Sequence, residues 1–88
     1  MLQILNNKQE NIINSSNRIL KKLHSIGVSD VEVTNYLIMR GHTITRSSIW
    51  RQRVGDSLKE YPREWNESLL VLLKDKTDFL RMIDKLTG

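Results

Sequence analysis

A chain of 88 residues, 39% apolar and without a single cysteine, makes one small domain with a modest core, and excludes a disulfide framework or a thiolate metal site. Fourteen Lys and Arg against ten Asp and Glu leave a net charge of +4, which suits an anionic partner. No apolar run approaches the roughly 20 residues needed to span a bilayer, and no basic-then-apolar leader opens the chain, so a cytoplasmic protein without membrane association is expected.

Residues 1–14 read as an N-terminal arm or an extra helix, with Leu2, Ile4, Leu5, Ile12 and Ile13 split by an Asn- and Gln-rich interval. From Ser15 or Ser16, Ile19, Leu20, Leu23 and Ile26 share one helical face, and Gly27 stops the helix. Ser29-Asp30-Val31-Glu32 is a capping box for a second helix. That helix carries Val33, Tyr36 and Leu37 as its apolar residues, with Met39 a further candidate, and runs to Arg40 before Gly41 stops it. Gly41-His42-Thr43 forms the turn, Ile44 an apolar plug, and Thr45 the cap of a third helix. Two helices joined by a short Gly-containing turn make a helix-turn-helix, and residues 15–60 are assigned to that core.

The third helix is loaded with cations. From Arg40 to Gly55 the basic residues are Arg40, Arg46, Arg51 and Arg53, joined by His42, with no Asp or Glu among them. At helical spacing Ile49, Trp50 and Val54 cluster on one side, and Ser47, Ser48, Arg51 and Gln52 point outward. Arg46 and Arg53 flank the apolar side. If Trp50 is core, Arg51 and Gln52 face a groove; if it is exposed, it touches a sugar-phosphate backbone or a partner protein instead.

Residues 61–88 are expected to close the core. Pro62 suits a helix start, and Trp65, Leu69, Leu70, Leu72 and Leu73 supply an apolar face. The run Phe79, Leu80, Ile83 and Leu86 is helical again after Lys74-Asp75-Lys76-Thr77. Either Thr77 or Asp78 caps a separate last helix, or one helix continues and aligns Leu69, Leu72, Lys76, Phe79, Ile83 and Leu86 as a coiled-coil seam. Leu69, Leu72, Phe79, Ile83 and Leu86 are the candidate homodimer surface.

The order Leu37, Gly41, Ile44-Thr45, Ser48-Ile49 and Arg51 is similar to the DNA-binding domain of arginine repressors. Ile44, Arg46, Ile49, Arg51 and Arg53 also resemble the DNA-reading box of nitrogen-type sigma factors. Pro62 and the leucine-rich Trp65 to Leu73 look like the later helices of phage Cro and repressor domains. Trp50 departs from the pattern where relatives carry a small residue, and Gln52 where many carry an apolar one. The resemblance implies an all-α helix-turn-helix domain of about five helices, without a wing. It implies major-groove readers at Arg46, Ser47, Ser48, Arg51 and Gln52. Phosphate contacts fall to Arg40, His42, Thr43, Thr45 and Arg53.

The expected function is sequence-specific binding of double-stranded DNA by a small phage or bacterial transcription regulator, acting as a homodimer on a pseudo-palindrome. The alternative is a helical module that docks on RNA polymerase, a replication protein or another regulator. No Gly-rich phosphate loop, zinc-protease pattern or cysteine nucleophile is present, so neither an enzyme nor a cofactor is expected, and the two separated histidines make no metal site.

Overall fold

Every helical run read between Ser16 and Leu86 forms a helix in the computed structural model, which describes residues 16–55 and 60–87. They are α1 (Ser16–Ser25), α2 (Asp30–Met39), α3 (Arg46–Val54) and α4 (Arg63–Thr87). The described secondary structure is all helical, as the all-α class requires. The count of about five helices is corrected to four among the described residues; the arm or helix expected over 1–14 lies outside them.

The C-terminal region forms a single helix of 25 residues instead of two. The polar interval contains no breaker and is held by local bonds. Lys74 pairs with Asp78 one turn on at 2.8 Å, and the Thr77 hydroxyl donates to the Leu73 carbonyl at 2.7 Å. Lys76 reaches sideways to Glu32 on α2. The helix thus crosses four polar residues without interruption.

The starts and stops follow local chemistry. Ser29 accepts from the Glu32 N–H at 3.1 Å, and Thr45 from the Ser48 N–H at 3.2 Å, each satisfying a first-turn donor with no partner inside its helix. The Glu32 carboxylate pairs with Lys76. α1 and α2 end in the same way. Gly27 and Gly41 adopt φ of +94° and +90°, a left-handed conformation that a Cβ would strain. The next residue then bonds back, Val28 N–H to the Leu23 carbonyl and His42 N–H to the Leu37 carbonyl, both at 3.0 Å.

α1 and α2 each pack against both α3 and α4. Ile19, Leu20 and Leu23 of α1 meet Val33 and Leu37 of α2, Ile49 of α3, and Leu69 and Leu72 of α4, with Val28 from the first turn. A polar belt ties the start of α1 to the start of α4. The Ser16 hydroxyl lies 2.7 Å from Glu60 Oε2 and 2.9 Å from Asn66 Oδ1, and accepts from the Tyr61 N–H at 3.0 Å. Ser16 is fully buried, so these bonds replace the water it gives up.

Candidate nucleic-acid interface

α3 has one buried apolar side chain, Ile49, and one buried polar one, Gln52 at 2% exposure. These two, three residues apart, define its inner face. Trp50 is 51% exposed and Val54 44%, and Arg46, Ser47 and Arg51 are exposed with them. The helix is therefore turned by about one residue step, ~100°, from the orientation expected by clustering its apolar residues. Ile49 fills the core position, and the adjacent indole, one residue step round the helix, stands outside it. Gln52 supplies a narrow aliphatic stem in its place.

The C-terminal end of α3 is clamped from two sides. The Asn17 side-chain amide, on α1, donates to the Gln52 and Arg53 carbonyls at 2.7 and 2.9 Å, adding to the single Gly55 N–H bond that the Gln52 carbonyl receives at 3.3 Å. Arg53 donates two parallel hydrogen bonds to the Asp30 carboxylate on α2, at 2.9 and 3.0 Å. Those bonds raise the Arg53 guanidinium above its ordinary pKa. They also neutralise the Asp30 carboxylate at the start of α2.

Several site expectations change accordingly. Gln52, expected to read bases, faces the core. Arg53, expected on phosphate, is engaged by Asp30. His42, also expected on phosphate, turns toward α4, with its ring 5.4 Å from Trp65 and its Nε2 3.3 Å from the Ser68 hydroxyl. Leu69 and Leu72, expected at a dimer surface, are 0% and 6% exposed within the chain's own core. Phe79, Ile83 and Leu86 do stand exposed.

Three of the remaining candidates share one groove. Arg46, Ser47 and Arg51, with Trp50, form one wall of an open groove of about 530 Å³, and Ser29, Asp30 and Val31 at the start of α2 form the other. Arg40 and Thr43 are exposed in the connection between the two helices, with the Arg40 guanidinium 5.7 Å above the Tyr36 ring. The Thr45 hydroxyl is the cap acceptor. Ser48 is half-buried, its carbonyl accepting from the Tyr61 hydroxyl at 3.4 Å. Among the described residues no carboxylate lies within ion-pair distance of Arg40, Arg46 or Arg51. Asn17 and Asp30 were not singled out in the sequence, because a clamp between residues 23 to 36 positions apart leaves no local pattern.

Tyr61 carries a consequence for stability. Burial pushes its hydroxyl up to about 12 from 10.0, so the folded chain holds the neutral phenol after the unfolded chain has lost its proton. The stabilisation is complete below pH 10 and is lost as pH rises toward about 12. Thermal unfolding across that window should show a falling midpoint, and a smaller fall for Tyr61→Phe, which has no phenol to titrate. Equal falls for the two proteins would rule Tyr61 out as the cause.

No protein-family model, curated protein or solved structure matches this chain.

Proposed function

We propose that the chain binds duplex DNA as a helix-turn-helix, with α2 the first helix of the motif and α3 laid into the major groove, in the service of phage or bacterial gene regulation. The observation that supports this reading is the outward face of α3. It carries two exposed guanidinium groups, Arg46 and Arg51, on either side of Ser47 and Trp50, with no acidic partner among the described residues. An arginine on such a face can pair bidentately with guanine. Arg40 and Thr43 at the helix connection, with the N–H groups at the start of α3, suit the flanking phosphates. The proposed base-reading set is thus Arg46, Ser47 and Arg51, with Trp50 lying against the groove wall.

A second reading has its own observation. Trp50, Val31 at 47% exposure and Val54 at 44% place exposed apolar surface beside the arginines, the residue mixture of a protein-binding hot spot. That reading gives the chain a protein partner in transcription or replication.

Selection from a random duplex pool, followed by titration of the winning sequence at increasing salt, separates the two. The DNA reading expects an enriched motif and an affinity that falls linearly with salt on logarithmic axes, because bound cations displace counterions from phosphates. A pool that returns no motif sinks it and leaves the partner-protein reading.

A further inference from the structure

The two halves of α4 meet different surroundings. Asn66, Ser68, Leu69 and Leu72 are buried, whereas every residue from 78 to 87 is exposed. At about 1.5 Å per residue this exposed stretch projects roughly 15 Å past the body. Leu69, Leu72, Lys76, Phe79, Ile83 and Leu86 alternate steps of three and four, which keeps them on one side of the helix. The side that the body covers at Leu69 and Leu72 therefore runs on uncovered by any other described residue. It passes through Phe79 (54% exposed), Ile83 (40%) and Leu86 (80%), and is widened by Leu80 and Met82.

We propose that a second copy of this chain covers that side, by an antiparallel crossing of the two α4 overhangs. Charge selects the occupant. Residues 16–55 hold seven basic residues against Asp30 and Glu32, so two such bodies repel, while the overhang balances Asp78 and Asp84 against Arg81 and Lys85. A strongly acidic partner finds no excess cation on the overhang, and the like-charged copy meets no repulsion there.

Sterics select the direction. In a parallel pair the partner helix would run back along the side that α1 and α2 already fill over Leu69 and Leu72. In an antiparallel pair it occupies the uncovered length alone, and its own body lies beyond Thr87. Its last turn then arrives at the edge of the first copy's body. There Arg18, Ile19, Lys22 and Leu73 line a groove of about 240 Å³, an apolar floor with two cationic rims. The C-terminal end of a helix carries a partial negative charge, which suits those rims.

Stable interfaces take about 800 Å² from each partner, and an overhang of under three turns with one shallow groove sits at the small end of that scale. The pair is therefore expected to form reversibly, with a mass that depends on concentration. The inference stands on α4 and holds whether or not α3 reads DNA.

Sedimentation of the full chain at increasing concentration is expected to move from a one-chain to a two-chain mass. The Ile83→Asp, Leu86→Asp double variant is expected to stay at the one-chain mass with unchanged helical circular dichroism. Leu86→Asp alone, at the most exposed of these positions, serves if the double variant loses helix. Because the chain has no cysteine of its own, a spin label on Lys74→Cys reads the direction, at about 25 Å between labels in the antiparallel pair against about 10 Å in a parallel one. One-chain mass at every concentration, a three-chain or larger assembly, an undisturbed two-chain mass in the aspartate variants, or the short label distance would each overturn the proposal.

Discussion

Ile49→Ala is expected to remove about 2–5 kcal/mol of stability, the usual cost of emptying a fully buried branched site. Ile49 has 0% exposure and is the one apolar side chain α3 contributes to the core. At roughly 0.05–0.15 kcal/mol per residue a domain of this size holds about 4–13 kcal/mol in total. The substitution therefore removes a large share, and the interface helix loses its anchor. Urea unfolding followed by circular dichroism measures the loss. Trp50→Ala is the comparison, since its side chain stands half in solvent and should shift stability by less than about 1 kcal/mol. If the two variants unfold at the same urea concentration, the rotation assigned to α3 is wrong.

Arg51→Ala and Gln52→Leu, adjacent in sequence, are expected to behave oppositely toward DNA. Arg51 stands on the exposed wall of the groove, and removing it should weaken binding to the selected duplex by about 1–3 kcal/mol and relax preference at one base position. Gln52 faces inward at 2% exposure. Its side chain lies on the inner face of α3 and has no route to a base edge, so binding by the folded Gln52→Leu protein should be unchanged. Fluorescence anisotropy with the selected duplex and a scrambled one measures both. A Gln52→Leu protein that binds but no longer discriminates would show that α3 meets DNA by another face.

The helices were legible wherever local chemistry decided them. Ser29 and Thr45 cap, Gly27 and Gly41 stop, and Ile19, Leu20 and Leu23 point inward as their spacing predicted. What the sequence did not carry was the rotation of α3. Nine residues holding two adjacent apolar side chains, Ile49 and Trp50, leave the buried side ambiguous by one step, and the choice rests on how α1 and α2 pack against the helix. The same limit hid the partners of Arg53 and His42. A charged or aromatic side chain near a turn reads as solvent-facing until the fold brings Asp30 or Trp65 against it. The C-terminal seam was visible in its spacing, but where the body stops covering it was not. Leu69 and Phe79 look alike in sequence and differ completely in exposure.

The way α3 is held also bears on motion. α1 places three large apolar side chains in the core and α3 only one, with polar clamps from Asn17 and Asp30 at its far end. Segments with few buried apolar contacts open locally at lower free energy than the body that carries them. The element that faces the proposed ligand thus depends on a single apolar anchor and two polar clamps, and a partner bound to its outer face would add to the contacts that hold it.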